Sequence, residues 1–216
     1  MEVKGIIFDL DGTLIESPGM IRLNGILKDT LKEFYVDNID ESLISEFWSS
    51  GRNHKNILEK LGVKSPDLFW RSFDEKDYNL RRDLIEKGGM KAYSDVNTLV
   101  ELSRKYKLGL VSNSSEKVVK LELGAFKLRR FFQSIIILGS KLQNYAKPEP
   151  QGLVWCMEKL GLRKNEVIYI GDLEIDLEAG RSAGVKSIRM MRKAEASGGK
   201  GEETIRNLYE LINNIL

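Results

Sequence analysis

The sequence predicts an α/β protein, a parallel sheet covered by helices on both faces, with a helical segment inserted near its N-terminus. Beyond residue 89, short apolar β-prone runs alternate with amphipathic segments, which is typical of a parallel sheet. Between residues 16 and 88, apolar residues recur at helical spacing without a convincing β run. We therefore expect a core domain formed by residues 1–15 and 89–216 and a helical domain formed by residues 16–88.

Two acidic residues follow the first predicted strand. Residues 6–8 are apolar and β-prone, as expected of a short strand buried on both faces. Asp9 and Asp11 come next, and Gly12-Thr13 is a turn signal. Unpaired carboxylates are costly beside a buried strand, so the pair indicates a bound cation or a chemical role. A solvated turn at the strand end is the alternative.

The inserted segment is predicted to be a bundle of helices. Asp40, Asn53 and Ser65 each precede apolar residues spaced as on one helix face, where a helix is expected to begin. Gly88-Gly89 ends this pattern. We expect about four helices in the segment.

The remainder of the chain is predicted to alternate between strands and helices. The runs expected to be strands are 107–111, 135–138, 167–170 and 185–190. The segments expected to be helices are 96–105, 116–123, 151–160, 176–183 and 202–216. A flexible glycine-rich loop is expected at residues 197–201.

Composition excludes several functional classes. The 216 residues are 42% hydrophobic and 31% charged, with 34 Lys plus Arg against 32 Asp plus Glu, so the net charge of +2 favours neither nucleic acid nor an anionic membrane as partner. The basic pairs Arg81-Arg82 and Arg129-Arg130 are interpreted as parts of solvated faces. No apolar run approaches the roughly 20 residues of a membrane span, and the N-terminus does not resemble a signal peptide, so a cytoplasmic protein is expected.

Two residue types occur once each. Cys156 is the only cysteine, which excludes a disulfide within the chain and a cysteine-based metal site, and its apolar neighbours predict a buried thiol. His54 is the only histidine, which excludes a zinc site with several histidines.

Polar residues collect where the predicted strands end. Carboxyl ends of parallel strands meet at one edge of a sheet, where ligands bind. The residues at these ends, or in a loop that leads back into the sheet, are Asp9, Asp11, Ser112, Asn113, Lys147, Asp172 and Asp176. Acidic oxygens suit Mg²⁺, whereas a lysine and a hydroxyl suit the oxygens of a phosphoryl group. This composition predicts a phosphoryl-transfer site.

Each of these residues also has an ordinary structural explanation. Ser112-Asn113 could cap the following helix, and Lys147 taken alone fits a surface lysine. Asp172 could lie in a turn, and Asp176 could be an acid at a helix N-terminus. Their combination, in one order along the chain, favours the chemical interpretation.

With these residues in place, the chain resembles the haloacid dehalogenase superfamily, in its magnesium-dependent phosphatase branch. The first motif of that family, a strand followed by Asp-x-Asp-Gly-Thr, is matched by residues 9–13. Its second motif is matched by Ser112, its third by Lys147-Pro148-Glu149-Pro150, and its fourth by Gly171-Asp172 with Asp176. The resemblance implies a Rossmann-like core of five parallel strands, with the first in the middle, and identifies the inserted segment, residues 16–88, with the family's helical cap of the first type. We call this segment the cap.

The resemblance also implies a role for each motif residue. Asp9 would be the nucleophile that forms an aspartyl-phosphate, and Asp11 the general acid and base. Mg²⁺ would be held by Asp9, by the backbone carbonyl of Asp11 and by Asp172. Lys147, a catalytic residue, would hold the phosphoryl oxygens.

Three further residues take supporting roles by the same resemblance. Ser112 and Asn113 would bind the phosphoryl oxygens with Lys147, and Asp176 would orient Lys147 or a metal-bound water. The expected substrate is a small phosphorylated metabolite, phosphoglycolate being one possibility among several.

Alternatives remain open at this point. A phosphomutase of the β-phosphoglucomutase type shares all four motifs. A signalling receiver domain is disfavoured because it lacks an inserted cap, and an inactive interaction module is disfavoured by the complete set of motifs.

Specificity is expected to reside in the cap. Arg52, Asn53 and His54 are the cap residues to test first for contact with the leaving group, although a solvated or capping role is favoured for them. The oligomeric state cannot be read from the sequence.

Overall fold

A computed structural model describes residues 2–37, 39–192 and 203–214 of the chain. Within them, one sheet has six strands that all pair in parallel, in the order β3-β2-β1-β4-β5-β6. The strands are β1 (Gly5–Phe8), β2 (Lys107–Ser112), β3 (Ser134–Ile137), β4 (Val167–Gly171), β5 (Lys186–Met190) and β6 (Thr204–Ile205). The α/β architecture predicted from the sequence is confirmed.

Helices account for most of the rest of the described chain. Those of the cap are α1 (Met20–Glu33), α2 (Glu41–Trp48), α3 (His54–Lys60) and α4 (Pro66–Glu86). Those of the core are α5 (Leu99–Lys105), α6 (Glu116–Ala125), α7 (Gln151–Leu160), α8 (Glu174–Ala183) and α9 (Leu208–Asn214). The four cap helices agree with the number expected, whereas the domain boundaries at residues 16 and 88 stay predictions.

Strand β1 is buried on both faces, as its apolar composition predicts. Alternate residues of a strand point to opposite faces of the sheet. Ile6 and Phe8 therefore join one apolar layer, which also contains residues of α5, α6 and α9. Ile7 joins a second layer with α7, in which the Cys156 thiol is buried. The residues that follow β1 are thereby held at the centre of the sheet edge.

The cap has an apolar cluster of its own. It is built from helical residues that include Leu27, Ile57, Phe69 and Phe73. Phe47 stacks against Trp70, with ring centroids 5.3 Å apart. Such a core gives the cap helices a fixed arrangement from which side chains can reach the sheet.

The C-terminal region differs from the prediction. A single helix over 202–216 is wrong, because Thr204–Ile205 pairs with β5 as an edge strand and α9 begins only at Leu208. The backbone N–H of Leu208 donates to Asp95 Oδ2 at 2.6 Å, which caps the shortened helix. The sheet thus has one more strand than the five implied by the resemblance.

The helix predicted over 96–105 begins with a 3₁₀ segment at Ser94–Thr98 before α5. The flexible loop expected at 197–201 lies outside the described residues.

Among the helices that the structure describes, none combines the length and the apolar character that crossing a membrane requires.

Candidate active site

At the carboxyl ends of β1 and β4, Asp9 and Asp176 contact Lys147, which lies in the loop before α7. Asp9 follows β1, and its backbone N–H donates to Ile170 O of β4 at 2.8 Å. Lys147 Nζ donates to Asp9 Oδ1 at 2.5 Å and to Asp176 Oδ1 at 2.6 Å. All three side chains are buried. The structure therefore assembles the first, third and fourth motifs into one ion-paired group.

Tyr169 belongs to this group, although it is part of none of the four motifs. Its hydroxyl donates to Asp176 Oδ1 at 2.6 Å and accepts from Lys147 Nζ at 3.1 Å. Burial, with the negative charges of Asp176 and Asp9, raises the pKa of Tyr169 well above its usual value, so the phenol stays protonated. The only sequence signal was a tyrosine two residues before Gly171 in a strand that is otherwise aliphatic.

Charge crowding shifts the pKa values of these groups. Burial raises the pKa of Asp9 to about 7, with Lys147 opposing the rise and Asp176 adding to it. For Lys147, burial alone would lower the pKa, but the carboxylates of Asp176 and Asp9 outweigh it and hold the pKa above its usual value. The lysine is therefore a fixed positive charge beside Asp9.

Asp172 lies against the turn that follows Asp11. Gly12 has φ +73, and a Cβ at that position would lie 2.1 Å from Asp172 Oδ2. Only glycine leaves room for this carboxylate and adopts this conformation without strain. Burial, with the negative charges of Asp9 and Asp176, raises the pKa of Asp172 to about 8, and its buried Oδ1 has no hydrogen-bond partner in the described part of the chain.

The acidic residues of this site fit a hard divalent cation. One carboxylate oxygen from each of Asp9, Asp172 and Asp176 lies within 4.8 Å of the others. Oxygen donors at such spacing suit Mg²⁺, and a cation would offset the repulsion between the carboxylates. Asp176 already accepts hydrogen bonds at both carboxylate oxygens, since its Oδ2 also accepts from Leu173 N at 3.0 Å. Asp9 and Asp172 are thus the better candidates for direct ligands.

Asn113 anchors the loop that carries Lys147. Its Nδ2 donates to Lys147 O at 3.1 Å, and its Oδ1 accepts from Lys147 N at 2.9 Å. Both ends of the amide are therefore used to hold the lysine backbone. Ser112 is buried at the end of β2, and its Oγ accepts from Ser114 N at 3.1 Å. Its hydroxyl proton stays available to a phosphoryl oxygen.

Asp11 is held by two residues that the sequence did not identify. Ser114 Oγ donates to Asp11 Oδ2 at 2.8 Å, and Arg81 Nη1 of α4 donates to Asp11 Oδ1. The interpretation of Arg81-Arg82 as a solvated face is wrong for Arg81, which is 3% exposed. It holds for Arg129-Arg130, both of which are exposed.

Arg192 anchors the turn after Asp11 from the other side. Its guanidinium donates to Thr13 O, from Nη2 at 2.6 Å, and to Asp95 Oδ2, from Nη1 at 2.6 Å. The same group stacks on the Tyr93 ring, 4.1 Å from its centroid. The backbone that carries Asp9 and Asp11 is therefore fixed at both of its ends.

The cap residues proposed for specificity occupy three different settings. Arg52 Nε donates to Glu149 Oε1 at 2.5 Å, so this exposed side chain is paired with the Lys147 loop. Asn53 Oδ1 accepts from Asn56 Nδ2 at 2.6 Å within the cap. His54 is buried between Trp70 and Asn144. None of these contacts tests a substrate role, which stays a prediction for all three.

The chain is similar to known hydrolases over most of its length. The family model described as "Haloacid dehalogenase-like hydrolase" matches residues 6–190. A phosphoglycolate phosphatase of Aquifex aeolicus is 31% identical, with 86% of this chain and 83% of the relative covered. A pyrophosphatase, PpaX, of Listeria innocua is 30% identical over 84% of this chain and 80% of its own length.

Solved structures show the same fold. A hydrolase from Pseudomonas syringae superposes with a TM-score of 0.73 at 21% identity, covering 98% of this chain and 97% of the other. The match extends across cap and core alike, so it supports the architecture as a whole. At this identity the likeness concerns the fold alone.

Proposed function

The chain belongs to the haloacid dehalogenase-like hydrolases and is a phosphatase of that family, and we propose that it hydrolyses a small phosphorylated metabolite through an aspartyl-phosphate on Asp9. The observation that carries the proposal is the buried Asp9 carboxylate, 2.5 Å from Lys147 Nζ at the carboxyl end of the central strand. A carboxylate fixed beside a permanent positive charge is suited to receive a phosphoryl group.

In the first step, an Asp9 oxygen forms a bond to phosphorus while the ester P–O bond breaks. The leaving oxygen keeps the bonding electron pair and takes a proton from Asp11. Lys147 and the Ser112 hydroxyl hold the phosphoryl oxygens, whose negative charge Lys147 offsets. Asp176 and Asn113 act on Lys147, the first on its ammonium group and the second on its backbone.

In the second step, water attacks the phosphorus of the aspartyl-phosphate. Asp11, now a carboxylate, takes a proton from that water, and the P–O bond to Asp9 breaks to release inorganic phosphate. Asp11 thereby regains the proton that it gave up, and Asp9 regains its carboxylate.

Mg²⁺ is the proposed cofactor, held by Asp9, by Asp172 and by the backbone carbonyl of Asp11. When bound, it would offset the repulsion between the Asp9 carboxylate and the incoming phosphate, about 4 kcal/mol for two unit charges 4 Å apart at an effective dielectric of 20. The orphaned Asp172 Oδ1 supports this assignment.

The proposed substrate is a small phosphate ester or anhydride. Relatives named for phosphoglycolate and for pyrophosphate place those two compounds first in a panel of phosphorylated metabolites. The phosphomutase alternative is less supported, since these relatives are named as phosphatases. Release of phosphate without a bisphosphate activator would separate the two activities.

The decisive test is Asp9→Asn, assayed with p-nitrophenyl phosphate and Mg²⁺. The amide removes the nucleophile, so we expect hydrolysis to fall to background, while circular dichroism shows an unchanged fold. Asp29→Asn is the matched control, because Asp29 is an exposed cap residue paired only with Lys32 in the described structure. Substantial Mg²⁺-dependent activity in Asp9→Asn would contradict the proposal.

A further inference from the structure

Arg81 lies in the interface between cap helix α4 and core helix α6, with carboxylates on several sides. Its Nη1 donates to Asp11 Oδ1 and, at 2.6 Å, to Glu122 Oε1 of α6. Its Nε donates to Asp77 Oδ1, one turn earlier on α4, at 2.8 Å. Arg81, Asp77 and Glu122 are all buried, whereas Asp11 opens toward the site.

The surroundings of Arg81 exclude its use as a receptor for an anionic part of the substrate. Three acidic side chains already share one guanidinium, so a further anion would meet an excess of carboxyl groups. Removing an arginine from water is costly unless its donors are paired, and here Asp77 and Glu122 pair them. These two residues therefore brace Arg81 in one orientation.

From this arrangement we propose that Arg81 is a positioning residue, which the cap supplies to hold the carboxyl group of Asp11 in line with the leaving oxygen. This inference rests on the proposed function, in which Asp11 gives its proton to that oxygen. Arg81 holds Oδ1, and the Ser114 hydroxyl holds Oδ2 at 2.8 Å. Together they fix the plane of the carboxyl group, which a single contact would leave free to rotate.

The cap thereby contributes to the chemistry of the core. Arg81 reaches Asp11 only while α4 is docked on α6, because Glu122 of α6 braces it from the core side. The acid–base group is correctly oriented only in the docked protein. Proton transfer to the leaving group is the step that depends on Arg81.

The experiment compares kcat/KM for phenyl phosphate and p-nitrophenyl phosphate in the full chain with Mg²⁺. The two esters differ by one nitro group, and phenol, the weaker acid, needs the proton from Asp11 more. For Arg81→Lys we expect kcat/KM to fall about 10²-fold with phenyl phosphate and only about tenfold with p-nitrophenyl phosphate. The binding of inorganic phosphate, measured as competitive inhibition, should stay unchanged.

Three further variants complete the test, and the first of them replaces Arg81→Lys if that variant folds poorly. Arg81→Met combined with Glu122→Gln removes the guanidinium together with the carboxyl group of α6 that contacts it, and should show the same substrate-selective loss. Arg82→Met is the matched control, since Arg82 is the next residue on α4, partly exposed and paired with Asp83, and both esters should react as with the unmodified protein. Asp11→Asn sets the size of the full effect.

The outcomes separate this inference from the proposed function. Equal losses with both esters, or no loss, in the Arg81 variants would overturn the positioning role. Such a result would leave the proposed nucleophile unaffected, because Asp9→Asn tests it separately. A loss that is clearly larger with phenyl phosphate than with p-nitrophenyl phosphate, and that is also seen in Asp11→Asn, would support the positioning role.

Discussion

Gly12 links the turn after Asp11 to the carboxylate of Asp172. Glycine is required here for two separate reasons: the backbone has a positive φ, and Asp172 Oδ2 leaves no room for a Cβ. Gly88 has the positive φ alone, at +69, because apart from its chain neighbours no described atom lies within 4 Å of the point that a Cβ would occupy. The two glycines therefore allow backbone strain to be separated from displacement of Asp172.

Alanine at position 12 should impair the enzyme far more than alanine at position 88. Both substitutions place an L-residue in the left-handed region, at a cost of about 1–2 kcal/mol in the free energy of unfolding. Only Gly12→Ala should also raise the Mg²⁺ concentration needed for half-maximal hydrolysis, because its Cβ pushes Asp172 aside. Thermal unfolding and Mg²⁺ titrations of activity measure the two effects. Equal Mg²⁺ requirements in both variants would contradict a metal role for Asp172.

At the scale of elements, His54 joins two cap helices to a core segment. The Trp70 indole N–H donates to His54 Nδ1 at 2.9 Å, and His54 Nε2 lies 2.9 Å from Asn144 Oδ1. Because an indole N–H can only donate, Nδ1 must accept and Nε2 carries the proton that Asn144 accepts. Burial lowers the pKa of His54, with the Lys55 charge adding to the effect and Asn144 opposing it.

This neutral histidine should make the protein less stable in mild acid. The unfolded chain takes up a proton near pH 6.5, whereas the folded protein resists it, so below that pH the unfolded state binds more protons. The His54 contribution to the free energy of unfolding should therefore decrease as pH falls from about 7 to about 5. His54→Gln keeps an acceptor and a donor and should remove this part of the pH dependence.

Urea unfolding between pH 5 and 7 measures the effect, and the comparison is clean because His54 is the only histidine in the chain. Parallel pH profiles of the two proteins would show that His54 is not held neutral by the fold.

At the scale of the whole molecule, polar side chains connect cap and core. Arg52 pairs with Glu149, and Lys117 of α6 pairs with Glu75 of α4 at 2.5 Å. Both are surface pairs, which contribute little to stability and are weakened by salt. The contacts of Arg81 are buried and therefore better shielded from salt. Raising the salt concentration should therefore weaken these two surface pairs before it weakens the buried contacts of Arg81.

Glu122 should make global stability depend on pH in the opposite direction from His54. Burial raises the pKa of Glu122 to about 8, with Asp11 adding to the rise and Arg81 opposing it. Between the unfolded value near 4.5 and about 8, the folded protein binds more protons, so its stability falls as pH rises. Glu122→Gln should reduce the slope of the free energy of unfolding against pH over pH 5–8, while the raised pKa values of Asp9 and Asp172 keep part of it. An unchanged slope would mean that Glu122 is ionised in the folded protein.

The sheet and the motif residues could be predicted because both follow from local sequence. Apolar runs ending in acids mark β1 and β4, and parallel pairing then brings Asp9 and Asp172 to one edge. Strand β6 could not be predicted in this way, since two residues carry no periodicity. Its formation depends on the neighbouring β5.

Residues whose partners are distant in the sequence could not be predicted either, because local sequence does not show which side chains come into contact. Asp77 and Arg81 have the spacing of an ordinary surface ion pair, and only the burial of α4 against α6 distinguishes them. One signal was available: Glu122 lies among Val118, Val119 and Leu123 on the apolar face of α6. A buried acid requires a cationic partner, and this one comes from the cap.

The hydrogen bonds of Trp70 have a consequence for how the molecule can be observed. Its indole donates to His54, whose other nitrogen is hydrogen-bonded to Asn144, so the electronic surroundings of this ring depend on contact between the cap and the rest of the chain. Of the three tryptophans, Trp48 donates to Asn24 within the cap and Trp155 lies against Tyr145 in the core. The protein thus carries in Trp70 an intrinsic optical reporter of cap docking, which requires no attached dye.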